Sequence, residues 1–191
     1  MKILAFSGSL RKGSYNKKLV KIAAQIAKAK GAEVQYIDLI DYQMPIYNAD
    51  IEESSGLPDN AKKMKQMMVE SDGFLIASPE YNSSITAALK NSMDWVSRPE
   101  DSKEPNLIAF KGKLAALMSA SPGYFGGYRS LTHLRSLLQN VGVLVTPDYL
   151  NLPNANEAFN DKEQLIDESK RKKLESVVTS LLDFDSKKPN R

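Results

Sequence analysis

The stretch KILAFSGSLRKGSYNKKLV, residues 2–20, decides the fold. It opens with an apolar run, residues 2–6, of the kind found in strands covered on both faces. It closes on a helical pattern over residues 15–30, where Leu19, Ile22, Ala23, Ile26 and Ala27 recur at i, i+3, i+4, i+7 and i+8. Gly31 stands where a helix of that length ends. The hydroxyl-rich segment between strand and helix, residues 8–16, therefore sits at a helix N-terminus. Free backbone N–H groups and the positive end of the helix dipole meet there, which suits a phosphate.

Outward from this unit the same alternation repeats. Apolar runs predict further strands at residues 34–39, 74–77, 114–118 and 143–147. Helical patterns are predicted at 58–70, 86–96, 127–141 and 161–182, with exposed irregular stretches at 41–57 and 97–112. Ala61, Met64, Met67 and Met68 share one face of the second helix and read as core filler. Five strands, each followed by a helix, predict a parallel sheet covered on both faces. Of the two common strand orders, the length and strand number favour the flavodoxin-like 2-1-3-4-5, a three-layer α/β sandwich. Ligands then bind beyond the carboxyl ends of strands one and three, and the loop after strand four joins the same crevice.

Composition narrows the chemistry. The chain has 191 residues, 42% hydrophobic and 26% charged, which fits one ordinary globular domain. Its lack of cysteine excludes disulfides, thiolate nucleophiles and iron–sulfur clusters. The single histidine, His133, has no acidic neighbour at helical spacing and reads as a solvated helix residue. The net charge of +3 is carried entirely by residues 187–191. We therefore expect one domain over 1–182 and a disordered basic tail over 183–191. The body shows no basic stripe interleaved with aromatics, so no nucleic-acid partner is expected. No window approaches the roughly 20 apolar residues of a membrane span, and the N-terminus lacks a secretory apolar region, so a cytoplasmic location is expected.

Three loops carry the candidate site. In the first, Ser9, Ser14 and Asn16 offer side-chain donors beside Tyr15, and Arg11 offers a charged fork. Gly8 and Gly13 have the spacing of a Walker A loop, but Ser14-Tyr15 replaces its Lys-Ser/Thr pair, and no third dinucleotide glycine is present. The cradle suits a phosphate that is bound rather than transferred; helix capping by Ser14 is the plainer alternative. In the second loop, Tyr81 can wall a flat ring, and the backbone of residues 82–84 can supply N–H groups. Glu80 reads more readily as a loop brace than as a general acid or base. In the third, residues 119–127, the glycines permit close approach, and Tyr124 and Phe125 can stack on a ring or close a partner interface.

Gly8-Ser9-Leu10-Arg11 with Ser14 and Asn16, then Pro79-Glu80-Tyr81-Asn82 running into Leu89-Lys90-Asn91 and Asp94-Trp95, resembles the NAD(P)H-dependent FMN reductase family. That family includes quinone, chromate and azo-dye reductases. The resemblance continues through Pro45-Ile46-Tyr47-Asn48, the loop from Gly123 to Gly127 and His133-Leu134-Arg135, so it covers the chain to about Leu182. It implies non-covalent FMN. Ser9, Arg11, Ser14, Tyr15 and Asn16 would wrap the phosphate. Pro79, Glu80, Tyr81, Asn82 and Ser83 would line the isoalloxazine ring, with Ser121, Pro122 and Gly123 on its other side. It further implies hydride transfer from NADPH or NADH to the flavin and then reduction of a small-molecule acceptor. No side-chain nucleophile and no metal is expected. A homodimer or homotetramer with the flavin near the interface is implied, with the Trp95 helix and the helix after it as contact surfaces. Arg129 is either a contact for the NADPH phosphate or a solvated helix residue. The alternative is a flavodoxin-type electron carrier without NAD(P)H activity. A flavodoxin-like domain without cofactor is a third reading, disfavoured by the phosphate loop.

Overall fold

The computed structural model describes residues 1–186, and the basic stretch 187–191 lies outside them. Five strands form one sheet: β1 (Lys2–Ser7), β2 (Glu33–Asp38), β3 (Gly73–Ala77), β4 (Leu114–Ala120) and β5 (Leu144–Leu152). Every pairing is parallel and the order is β2-β1-β3-β4-β5, as expected. The order reverses between β1 and β3, which opens a crevice at their carboxyl ends. The described residues also form six α-helices, α1 (Tyr15–Ala29), α2 (Ala49–Ser55), α3 (Asp59–Glu70), α4 (Ala87–Val96), α5 (Tyr128–Asn140) and α6 (Glu168–Ser186), and a short 3-10 turn, Leu39–Asp41.

The pleat divides the core into two layers. Ile3, Ala5, Leu75, Ala116 and Met118 face α1 and α6, while Leu4, Phe6, Phe74, Ile76 and Leu117 face α3, α4 and α5. β1, β3 and β4 read as unbroken apolar runs because both of their faces are covered. Met64 and Met68 are fully buried in the second layer, which confirms the filler reading of the methionine face. Trp95 is also fully buried, packed with Leu57 and Ala61, and donates its indole N–H to the Pro45 carbonyl at 2.8 Å. It is therefore core and not itself a contact surface.

Four expectations are corrected. Residues 41–57 are not wholly irregular, since they contain α2. Asn48 caps it through Asp50 N–H at 2.9 Å, but none of its residues is buried, so it left no apolar period to read. The last strand runs to Leu152 rather than stopping at Pro147. The register jumps between Ala115 and Leu117, so Pro147 falls in an irregularity of an edge strand, where a missing N–H is tolerated. The last helix begins at Glu168 rather than 161, because the Asp167 carboxylate takes the N–H groups of Ser169 (2.8 Å) and Lys170 (3.3 Å) and fixes the start there. That helix extends through Ser186, so residues 183–186 continue it instead of joining the tail.

Candidate functional site: a phosphate cradle and a flat cleft

The first loop leaves β1 through Gly8, whose N–H continues the ladder onto the Ala77 carbonyl at 2.9 Å. A Cβ at Gly8 would sit 3.0 Å from the Leu89 side chain, so the loop passes tightly over α4. Thr86, the N-cap of α4, donates its hydroxyl to the Gly8 carbonyl and holds it there. Ser14 caps α1 by accepting from Lys17 N–H at 3.4 Å. The N–H groups of Tyr15 and Asn16, next along the first turn, have no hydrogen-bond partner among the described residues. Arg11 donates to the Gly13 carbonyl at 2.9 Å, and its guanidinium lies 5.2 Å from the centre of the Tyr15 ring. It makes no ion pair among the described residues, and the first turn of α1 contains no acid. A helix dipole and an uncompensated guanidinium thus face one spot, an arrangement that fits a phosphate.

Asn16 carries a structural tie as well as bordering the cleft. Its amide donates to the Ala120 carbonyl at 2.8 Å and accepts from the Ala120 N–H at 2.9 Å, and the residue is buried. The side chain thus clasps the first loop to the end of β4, and the residue also borders the cleft, where its second amide N–H and its backbone N–H remain as donors. Ser9 likewise has its Oγ on the N–H of Arg11, at 3.3 Å.

The second loop ends in a tight turn. Tyr81 and Ser84 exchange N–H···O bonds of 3.0 and 3.1 Å around Asn82 (φ 50°) and Ser83 (φ 64°). Two successive residues at positive φ define a primed turn, and the N–H groups of both lack partners among the described residues. Glu80 is the brace that the sequence favoured. Its carboxylate accepts from the N–H groups of Arg129 (3.0 Å) and Ser130 (3.4 Å) and from the Arg129 guanidinium. Arg129 is therefore neither a free anion contact nor a plain solvated residue. His133 lies exposed on α5, with Nδ1 3.1 Å from the Ser84 hydroxyl.

In the third loop Ser121 accepts from Gly123 N–H at 3.2 Å, and Ser119 donates to the Gly126 carbonyl at 2.6 Å. Gly126 has φ +58°, and a Cβ there would fall 2.6 Å from the Pro153 nitrogen, so only glycine fits.

The three loops converge. A cleft of about 170 Å³ is lined by Ser9, Arg11, Ser14, Tyr15 and Asn16 of the first loop. Pro79, Glu80 and Tyr81 of the second, and Ala120, Ser121 and Pro122 at the end of β4, complete it. Asn82, Ser83 and Gly123 stand outside this lining, farther along their loops. Ala120 and the Thr86 clasp were not anticipated. Thr86 was legible as a helix cap, but its tie to Gly8 joins residues 78 apart and leaves no local signal. A wider groove of about 560 Å³ borders α6 near Lys30 and Asp148, but it lies toward the C-terminal end of α1, away from the crevice. Among the described residues no group of three His, Cys, Asp or Glu could hold a metal. Nor is any helix there long and apolar enough to cross a membrane.

An open parallel sheet with a phosphate cradle and a walled cleft at its switch point defines a flavodoxin-like, mononucleotide-binding α/β domain. Within that class the chain belongs to the NADPH-dependent FMN reductase family, whose model matches residues 1–157. It is 39% identical to an NAD(P)H:quinone oxidoreductase from Solanum tuberosum, over 95% of this chain and 91% of that protein. It is 34% identical to an NAD(P)H-dependent FMN reductase from Pseudomonas aeruginosa, over 95% of this chain and 93% of that protein. Among solved structures, the flavoenzyme NAD(P)H:(acceptor) oxidoreductase of Paracoccus denitrificans superposes with a TM-score of 0.82 at 29% identity, covering 97% of each chain.

Proposed function

We propose that this protein is an FMN-dependent oxidoreductase that carries reducing equivalents from NADPH or NADH to small acceptors. Quinones lead that acceptor class, with azo compounds, chromate and free flavin as further members. The observation that carries the reading is the first loop: two partnerless N–H groups and an unpaired Arg11 face a cleft at the switch point. FMN held in this cleft would supply the hydride chemistry between nicotinamide and acceptor. The chain binds and orients. The N–H groups of Tyr15 and Asn16, with Arg11, neutralise the phosphate. Pro79 and Tyr81 stand as one wall of the cleft and Ser121 and Pro122 as another. The turn at Asn82 and Ser83 offers N–H donors for the polar ring edge. Protons are drawn from solvent, because the Glu80 carboxylate is already engaged by Arg129 and Ser130.

At about 170 Å³ the cleft is smaller than the roughly 300–1,000 Å³ of sites that enclose a cofactor-sized ligand. Tyr124 and Phe125 flank it and are exposed, at 86% and 55%. Both facts support a homodimer or homotetramer that completes the site. A cytoplasmic location accords with NAD(P)H as co-substrate.

The test is anaerobic mixing of the flavin-loaded protein with NADPH or NADH, followed by a panel of quinone, azo, chromate and free-flavin acceptors. Loss of the yellow flavin band within seconds, and its return on adding an acceptor, is the expected result. A flavin that stays yellow for minutes with both nucleotides would mark an electron carrier instead.

A further inference from the structure

The second loop holds a wall of the cleft and two free N–H groups, yet its turn is costly backbone. Asn82 and Ser83 are consecutive non-glycine residues at positive φ, a conformation that persists only with outside support. One helix supplies that support. The Glu80 carboxylate accepts the N–H groups of Arg129 and Ser130 at 3.0 and 3.4 Å. It also accepts Arg129 Nε at 2.7 Å and Nη2 at 2.6 Å, so the guanidinium engages it through two nitrogens. Ser130 Oγ reaches the Ser78 carbonyl at 3.2 Å, and His133 meets Ser84. The N-cap of α5 is Gly127, which has no side chain to offer, so Glu80 caps the helix from another part of the chain. The third loop is drawn into the same assembly, since the Arg129 guanidinium lies 5.1 Å from the centre of the Phe125 ring.

We propose that Glu80 and Arg129 form a latch that positions the ring side of the flavin site. The latch fixes the Tyr81–Ser84 turn and the third loop to the first turn of α5, and so sets where wall and N–H donors stand relative to the cleft. Neither residue moves a proton in this role; both are positioning residues. The inference rests on the flavin-binding reading above. It distinguishes two halves of one site: the first loop recognises the phosphate, and the latch governs the ring.

That division can be measured without turnover. Apoprotein is titrated with FMN and with riboflavin, which shares the ring but lacks the phosphate, and quenching of flavin fluorescence gives both affinities. The variants are Glu80→Gln, Arg129→Gln and the double substitution, with Arg11→Ala for comparison. Each latch variant is expected to weaken FMN and riboflavin by the same factor, about three- to tenfold. The double variant should be no weaker than about twice the worse single one, as for two ends of one interaction. The visible band of the bound flavin should shift in all three. Arg11→Ala should weaken FMN alone. Unchanged affinities in the latch variants, a loss confined to FMN, or effects that multiply in the double variant would each overturn the latch. A wild-type apoprotein that binds neither flavin would overturn the flavin reading as well. Arg129 is half exposed, so its substitution is not expected to compromise folding; if Glu80→Gln does not fold, Arg129→Gln and Arg129→Lys carry the test, with Lys recovering part of the riboflavin affinity.

Discussion

At the scale of single residues, Arg11 and Asn16 differ in role although they stand only five positions apart in the sequence. Arg11 is held by one hydrogen bond to its own loop and by the Tyr15 ring, and its charge has no carboxylate to neutralise it. Arg11→Ala is expected to loosen FMN by about ten- to a hundredfold, the loss of one charge-assisted contact. Fluorescence titration checks this, and unchanged affinity would remove the assigned role. Asn16 also acts on the fold. Asn16→Ala strips both hydrogen bonds from the buried Ala120 peptide groups, at a cost of about 2 kcal/mol. Urea unfolding of the apoprotein should show the lower midpoint with an unchanged slope. The sequence marked Asn16 as part of the site but held no sign of its tie to Ala120. Its partner lies 104 residues away, beyond what local spacing encodes.

At the scale of elements, the strongly periodic segments were legible and the capped ones were not. α1, α3 and α4 start and stop within a residue or two of their expected limits, because buried apolar positions recur along them. α2 and the first turn of α6 depend on Asn48 and Asp167, whose polar contacts leave no hydrophobic period. The Asp167 carboxyl is held below its ordinary range chiefly by the Ser169 hydroxyl and then by the N–H groups of Ser169 and Lys170. Its folded-state pKa is thus lower than its unfolded value of about 3.9. Its contribution is complete above that value and fades as pH falls through the lower folded one. Hydrogen exchange in the first turn of α6 should accelerate in that acid window, and Asp167→Ala should show the faster exchange already at neutral pH. If wild type and variant exchange alike at pH 7, the cap has no effect. β5 shows the converse error. Pro147 is a fair stop signal, but an edge strand absorbed it by a register shift and ran on to Leu152.

At the scale of the whole molecule, the strand order followed from alternation and length alone, and the site's location followed from the order. The sequence could not supply the ties across loops, such as Glu80 to Arg129 or Thr86 to Gly8, because each joins segments brought together only by the finished sheet. The oligomer is the corresponding prediction at this scale. Light scattering on the flavin-loaded protein should report two or four chains. A monomer at working concentration would require the cleft to serve with its present open mouth.

The first loop, Pro79 to Tyr81 of the second loop and the end of β4 contribute to one cleft from positions more than 100 residues apart in the chain. A partly unfolded chain therefore has nowhere to put the flavin, so the ligand binds the native state alone. At a free concentration a hundredfold above the dissociation constant it adds about 2.7 kcal/mol to stability. For a domain of this size that is a rise in melting temperature of about 5–10 °C. Vitamin supply thereby becomes a determinant of protein lifetime. In a riboflavin-starved cell the chain would spend more time open to proteases, and its abundance would track the nutrient even with transcription held constant.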